Sequence, residues 1–177
     1  MRNVIVLDLE TQKLASEVGG WSHIRDMQLA VGVTYNIANG VYQTYLERDA
    51  RSLIAAVRSA DLVVGYNLLR FDYEVLRRYT EDPLRDVPTV DMLDHIHRSL
   101  GYRLKLDDVA AATLGMGKSA DGLQAVQWFR RGELQKVIDY CRRDVEVTRK
   151  VYEFGQQHGY IQYRDRSWRT RRVPVRW

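Results

Sequence analysis

Two carboxylates close together follow the first apolar run of the chain. Asp8 and Glu10 come directly after Val4–Leu7, a run that predicts a buried strand. Because side chains alternate along a strand, residues two apart project from the same face. Two carboxylates at the end of a buried strand are costly unless cations neutralise them, and hard cations such as Mg²⁺ and Mn²⁺ prefer oxygen ligands. The pair therefore indicates a divalent-cation site, although the start of a solvated loop would have the same pattern.

A third carboxylate interrupts the apolar face of a predicted helix. A strand is predicted over residues 62–65 and a helix over about 69–79. Asp72 lies four residues after Leu68 and four before Leu76, so it occupies a position where an apolar residue is expected. A carboxylate there is either paired with a neighbouring arginine or functional.

The fourth carboxylate lies on the longest predicted helix. Residues 133–154 have helical periodicity, and Asp144 falls beside their apolar stripe rather than with the charged residues of the opposite side. Tyr140 lies one turn earlier at the edge of the same face, so its hydroxyl can reach the space in front of Asp144. The structural alternative is a buried pair of Asp144 with an arginine, next to a core tyrosine.

These three segments supply four carboxylates and a tyrosine, each directed toward the interior or a strand end. So much negative charge in one place is accommodated by two divalent cations, which in two-metal phosphoryl chemistry lie roughly 3.5–4 Å apart. The sequence therefore predicts two Mg²⁺ or Mn²⁺ ions as cofactors, with the ligands Asp8, Glu10, Asp72 and Asp144.

The elements that would position these residues alternate between strands and helices. An early strand covers residues 3–9, two further strands form a hairpin, and strand–helix alternation follows. This order is typical of an α/β fold with a mixed central β-sheet flanked by α-helices, whose chemistry lies at the carboxyl ends of strands. The other predicted strands are residues 27–35, 41–46, about 89–90 and one strand after Gly159, and the other helices are 49–59, 91–99, 106–114 and 122–130.

Length and composition predict one domain without disulfides. The chain has 177 residues, of which 45% are hydrophobic and 28% are charged, and it contains a single cysteine, Cys141. One cysteine excludes an internal disulfide framework and a multi-cysteine zinc site, and it agrees with the cytoplasmic location that we expect. No apolar run approaches the length of a membrane-spanning helix, so we expect no membrane association.

Positive charge is concentrated at the C-terminus. The formal net charge of the chain is +4, whereas residues 160–177 alone carry six arginines against one aspartate, a net +5. Arginines bind phosphates and the interleaved aromatic side chains can stack on bases, so this segment suits nucleic acid; a solvated edge strand is the alternative. We therefore divide the chain into a main part, residues 1–159, and an arginine-rich extension of the same domain.

The ordered motifs resemble those of a known nuclease family. Asp8-Leu9-Glu10-Thr11, Asn67-xxx-Phe71-Asp72 and Tyr140-xxx-Asp144 match, in order and spacing, the three exonuclease motifs of the DEDD nucleases that carry a tyrosine in the third motif (DEDDy). The second motif is especially similar to that of the proofreading domain of family B DNA polymerases. The whole set also resembles small predicted 3′→5′ exonucleases, over about residues 3–152.

This resemblance implies a ribonuclease H-like fold and a metal-dependent 3′→5′ exonuclease. Such an enzyme would hydrolyse terminal phosphodiesters, of DNA in preference to RNA, and release nucleoside 5′-monophosphates. Asp8, Glu10 and Asp144 would hold one cation. Asp8 and Asp72 would hold the other, and Tyr140 would orient the attacking water.

The resemblance also implies how the substrate is held. Asn67 and Phe71 would contact the terminal nucleotide, and Leu9 would pack on its base. Thr11 completes the predicted substrate-binding set. The expected partner is nucleic acid with a single-stranded 3′ end, and a role in DNA repair or proofreading would require a polymerase or helicase as a further partner.

Other interpretations fit parts of the pattern. A ribonuclease H-like endonuclease or junction resolvase also gathers acids at an early strand and a late helix, but it would lack Tyr140 and the Asn67–Asp72 block. A non-catalytic nucleic-acid-binding module would be expected to have lost at least one acid. Asp91 follows a predicted strand and either borders the site or, as we expect, caps the helix that begins there.

Overall fold

A mixed five-stranded sheet forms the centre of the computed structural model, which describes residues 2–117 and 121–177. Its strands are β1 (Val4–Thr11), β2 (Leu29–Asn36), β3 (Val41–Leu46), β4 (Leu62–Gly65) and β5 (Thr89–Asp91). The strand order is β3-β2-β1-β4-β5. β1 pairs antiparallel with β2 and parallel with β4, and β4 is parallel to β5. The predicted mixed α/β sheet is therefore confirmed.

Within the described residues, six α-helices cover this sheet. They are α1 (Ala50–Ser59), α2 (Tyr73–Leu76), α3 (Met92–Leu100), α4 (Leu106–Leu114), α5 (Gly122–Arg130) and α6 (Leu134–His158). The longest helix, α6, packs against β1 and β2 and buries Val137, Cys141 and Val145 completely. It continues four residues beyond the predicted end at residue 154 and stops at Gly159, whose φ of 73° lies in the left-handed region.

The central strand β1 separates two apolar layers. Ile5 and Leu7 pack with apolar residues of α1, whereas Val6 packs with those of α6 on the other face of the sheet. Asp8 and Glu10 continue the row of Val6, as the alternation along a strand predicts. The first two carboxylates therefore face α6, the element that carries the last carboxylate.

The helix predicted over residues 69–79 is wrong in its extent and in its first turn. Asn67 has a φ of 74°, in the left-handed region, and a π-helical turn over Leu68–Asp72 follows it, closed by the bond from the Tyr73 N–H to the Leu68 carbonyl. The regular helix α2 is only four residues long. The wide turn accommodates the fully buried Leu68 side chain, which lies where a side chain at Gly65 would clash. Sequence periodicity could not distinguish this turn from a regular helix.

The arginine-rich C-terminal segment forms a β-hairpin instead of the single strand that the sequence predicts. Its strands, β6 (Tyr160–Arg164) and β7 (Thr170–Pro174), form a separate two-stranded antiparallel sheet. Ile161 and Val173 are buried in the same apolar cluster as α6, so the hairpin packs on the main body. Across the described parts of the chain, no helix combines the length and the apolar character that a membrane span requires.

Candidate metal centre

Three carboxylates from two distant segments meet at the end of the central strand. Asp8 and Glu10 on β1 and Asp144 on α6 each offer one carboxylate oxygen, and these oxygens all lie within 4.8 Å of one another. Among the described residues, this is the one group of three or more side chains that could jointly bind a metal ion. The structure thus brings together three of the four predicted ligands.

Burial and mutual repulsion make this cluster unfavourable as a set of free anions. Burial raises the pKa of Asp8 well above its usual range, and the charges of Asp144, Glu10 and Asp72 raise it further. The pKa of Glu10 is raised for the same reasons, by burial first and then by Asp144 and Asp72. No lysine or arginine within residues 2–117 and 121–177 forms an ion pair with Asp8 or Glu10. A cation from solution would relieve this repulsion.

The donor atoms fit a hard divalent cation. All three side chains present carboxylate oxygens, which Mg²⁺ and Mn²⁺ prefer, and no histidine belongs to the group. The raised pKa values of Asp8 and Glu10 show that their closeness is costly in the absence of a cation. The cluster is therefore suited to bind a metal ion rather than to brace the fold.

Asp72 lies beside this group but is not part of it. Its side chain is only 2% exposed, and its Oδ1 atom has no hydrogen-bond partner among the described residues. Burial first, and then the charge of Asp91, raise its pKa to about 8. Its charge in turn raises the pKa of both Asp8 and Glu10, so the four predicted ligands form one electrostatic system.

Tyr140 stands at the cluster, as its position on α6 predicts. Its hydroxyl forms a hydrogen bond with Asp144, and its ring packs edge-on against Trp128 at a centroid distance of 6.2 Å. Burial raises the pKa of Tyr140 well above its usual range, and the charges of Asp144, Glu10 and Asp8 act in the same direction. The phenol therefore stays protonated and acts as a hydrogen-bond donor rather than as a base.

Cys141 contributes to the site in a way that the sequence did not suggest. Its thiol lies 3.3 Å from the backbone carbonyl of Asp8 and 3.4 Å from the Asp8 Oδ2 atom. Burial, followed by the charges of Asp8 and Glu10, raises the pKa of Cys141, so the thiol stays protonated and donates to Asp8. The apolar stripe of α6 placed this residue in the core, and only the packing of α6 on β1 reveals its acidic partner.

Asp91 has the structural role that the sequence predicts. It is the N-cap of α3, and its Oδ1 atom accepts from the backbone N–H groups of Leu93 at 3.1 Å and Asp94 at 3.3 Å. It also accepts from the N–H groups of Asn67 at 2.8 Å and Leu69 at 3.0 Å. Asp91 thereby holds the turn that leads to Asp72.

The predicted substrate-binding residues lie in two kinds of environment. Leu9 is 3% exposed within the apolar core, and the hydroxyl of Thr11, itself 5% exposed, donates to the Lys13 carbonyl at 3.0 Å. Asn67 and Phe71 instead line an open groove next to the turn that carries Asp72. Their proposed contacts with a terminal nucleotide stay predictions, as does the packing of Leu9 on a base.

Known proteins share this fold. The family model RNase_H_2, described as RNase_H superfamily, matches residues 5–155. Among solved structures, the chain is similar to the family B DNA polymerase from the hyperthermophilic archaeon Pyrobaculum calidifontis, with a TM-score of 0.67 and 15% sequence identity. The similarity covers 88% of this chain but 24% of the polymerase chain, so it concerns one part of that protein and shows the fold alone. No curated protein matches the chain.

Proposed function

Because the chain belongs to the RNase H superfamily, we propose that it is a divalent-cation-dependent 3′→5′ exonuclease of nucleic acid. The observation that carries this proposal is the cluster of Asp8, Glu10 and Asp144, whose carboxylate oxygens lie within 4.8 Å of one another at the end of β1. Hydrolysis of a phosphodiester requires stabilisation of negative charge, and a carboxylate cluster that collects divalent cations is suited to provide it.

The residues that would hold the cations are the four predicted carboxylates. Asp8, Glu10 and Asp144 would hold one ion. Asp8 and the neighbouring Asp72 would hold a second, for which the unpartnered Oδ1 atom of Asp72 is an available ligand. When bound, two Mg²⁺ or Mn²⁺ ions supply charge stabilisation at the attacking and leaving oxygens.

Tyr140 and Cys141 would orient the attacking water and a metal ligand, and neither would transfer a proton. Tyr140 donates its hydroxyl to Asp144 and would orient the attacking water in front of it. Cys141 donates to Asp8 and would keep that carboxylate turned toward the ions. Since the pKa values of Tyr140 and Cys141 are both raised, neither group is suited to act as a general base.

The substrate that we propose is a strand with a free 3′ end, and we favour DNA over RNA. Asn67 and Phe71 line a groove next to the turn that carries Asp72, where they would contact the terminal nucleotide. The preference for DNA is supported by the similarity in fold to a protein named as a DNA polymerase. A polymerase or helicase partner and a role in DNA repair are extensions of the same proposal.

The test is a parallel digestion of end-labelled DNA and RNA strands, each with a free or a blocked 3′ end, in Mg²⁺, in Mn²⁺ and in EDTA. We expect stepwise shortening of the free 3′ ends, no shortening of blocked ends and no activity in EDTA. The Asp144→Asn variant should lose roughly three orders of magnitude in rate. Cleavage of a circular strand would favour an endonuclease or junction resolvase, and full activity of Asp144→Asn would overturn the proposed mechanism.

A further inference from the structure

A basic groove with an exposed indole lies against the π-helical turn that ends in Asp72. Its volume is about 760 Å³, within the roughly 300–1,000 Å³ range of ligand sites. Its walls are formed by the 3₁₀-helical segment Trp21–Met27 between β1 and β2, by the π-helical turn and α2, and by Arg85 and Arg103 further along the chain. We call it the arginine groove, and its residues that matter below are Trp21, Arg25, Asn67, Arg70, Phe71, Glu74, Arg77, Arg85 and Arg103.

The arginine groove carries a large excess of positive charge. Five arginines line it against one carboxylate, Glu74, which leaves a net +4. Glu74 pairs with Arg77 at 3.0 Å and with Arg85 at 3.5 Å. The other three arginines form no ion pair with a carboxylate of the described residues, although Arg103 donates to the amide oxygen of Asn67. Such a surface suits a partner that brings its own negative charge.

Trp21 adds an apolar contact surface to this charge. Its side chain is 71% exposed, and its ring centroid lies 6.4 Å from that of Phe71 at an interplanar angle of 60°. An exposed indole next to several arginines is costly as a plain solvent surface and useful as a platform on which a base can stack. Phosphate-binding groups and a stacking surface in one groove match the chemistry of a nucleic acid whose bases are unpaired.

We propose that the arginine groove binds the single strand upstream of the nucleotide that is hydrolysed. Arg25, Arg70 and Arg103 would bind its phosphates, and a base would stack on Trp21. Asn67 and Phe71 belong to both the groove and the expected terminal-nucleotide site, so the two surfaces are continuous. This inference rests on the proposed exonuclease function, and it adds the path of the substrate and the residues that determine a preference for unpaired strands.

The C-terminal hairpin provides a matched control for this path. The hairpin also has an exposed tryptophan, Trp168, which is 78% exposed and is flanked in sequence by Arg166 and Arg169. It lies outside the arginine groove. The two tryptophans therefore offer the same chemistry at two places, and only one of them adjoins Phe71.

The experiment measures binding of a 5′-labelled single-stranded oligonucleotide to Asp144→Asn protein in EDTA, so that no hydrolysis occurs. Adding Trp21→Ala should weaken binding about 5- to 100-fold, the usual effect of removing one stacking platform. Trp21→Phe should restore most of the affinity, and Trp168→Ala should leave it unchanged. Arg25→Gln should lower the slope of log affinity against log salt by about 0.7, the contribution of one phosphate contact.

The outcomes separate this inference from the proposed function. If wild-type protein digests 3′ ends but Trp21→Ala neither weakens binding nor raises KM, the groove is not the strand path. A loss of affinity in Trp168→Ala instead of Trp21→Ala would overturn the inference in favour of the hairpin. If no digestion occurs in any metal, but Trp21→Ala weakens binding and Trp21→Phe restores it, the groove stands as a nucleic-acid site and the exonuclease assignment fails.

Discussion

Asp91 and the cluster of Asp8, Glu10 and Asp144 lie at the same edge of the sheet, but their oxygens have different neighbours. The buried Asp91 carboxylate accepts four backbone N–H groups, two from the start of α3 and two from the turn after β4. The three cluster carboxylates instead face one another within 4.8 Å. In the first arrangement, hydrogen bonds from the backbone compensate the burial of the carboxylate. In the second, Asp8 and Glu10 form no ion pair with a lysine or arginine of the described residues.

The difference shows that burial alone does not identify a functional acid. A buried carboxylate that caps a helix stabilises the fold through the N–H groups that it satisfies. Carboxylates that repel each other destabilise it unless a cation lies between them. Asp72 stands between these cases, since it is buried next to both groups and one of its oxygens has no partner among the described residues.

Substitution of Asp8 should lower the hydrolysis rate without loss of stability, whereas substitution of Asp91 should lower the stability. Asp8→Asn should reduce the hydrolysis rate by roughly a thousandfold or more, because a cation ligand is lost. It should leave the stability of the metal-free protein unchanged or raised, because a repelling charge is removed. Asp91→Ala should lower the free energy of unfolding by about 2–4 kcal/mol, because four N–H groups lose their acceptor. Urea unfolding and rates per folded molecule measure both effects.

The surface acid Asp82 provides the control for this pair. Its side chain is 77% exposed, and its distance from the Arg58 guanidinium is 3.8 Å, so Asp82→Ala should change neither quantity. The comparison breaks down if Asp8→Asn unfolds the protein while remaining active per folded molecule, or if Asp91→Ala abolishes the activity of the folded fraction without loss of stability.

The parts of the site that follow from local periodicity could be predicted from the sequence. Alternation along β1 puts Asp8 and Glu10 on one face, and helical periodicity turns Tyr140 and Asp144 of α6 toward the interior. The structure confirms that Asp8, Glu10 and Asp144 meet. Periods of 2 and 3.6 residues are properties of the strand and of the helix backbone, so they hold wherever the predicted element forms.

The parts that depend on tertiary packing could not be predicted. The thiol of Cys141 reaches Asp8 across 133 positions of sequence, and no local pattern reports such a contact. The residues that line the arginine groove are spread along the chain from Trp21 to Arg103. No sequence pattern links them, because each is of a type that is common on protein surfaces. The sequence predicted a regular helix where the chain has a left-handed Asn67 followed by a π-helical turn. The packing of Leu68 against Gly65 outweighs the local helix propensity there.

The electrostatic cost of the cluster should be visible as a dependence of stability on pH and on metal ions. The folded pKa of Asp72, about 8, lies above its ordinary value of 3.8, and those of Asp8 and Glu10 are also raised. Carboxyl groups with raised pKa values contribute their full stabilisation below about pH 4, where they are protonated in both the folded and the unfolded protein. This stabilisation is lost as the pH rises through their pKa values in the folded protein. The metal-free protein should therefore become less stable between about pH 4 and pH 8.

Divalent cations should reverse this loss at neutral pH. At about 100 times the dissociation constant, a bound ion adds about 2.7 kcal/mol, which corresponds to an increase in Tm of roughly 5–10 °C for a chain of this size. Thermal unfolding in EDTA, Mg²⁺ and Mn²⁺ measures the effect, and Asp144→Asn should reduce it. Identical melting temperatures with and without divalent ions would mean that the cluster does not bind them.

The smallest expected effect concerns the tyrosine beside the cluster. Tyr140→Phe removes one hydroxyl that donates to Asp144 and, in the proposed mechanism, orients the water, but it removes no metal ligand. The rate should fall about tenfold, the equivalent of one hydrogen bond of about 1.4 kcal/mol, while the affinity for divalent ions stays the same. Tyr152→Phe is the control, because that hydroxyl, also on α6, bonds Gln156 instead. If Tyr140→Phe weakens metal binding as strongly as Asp144→Asn does, the phenol belongs to the ligand set and the distinction between binding and orienting groups on α6 is wrong.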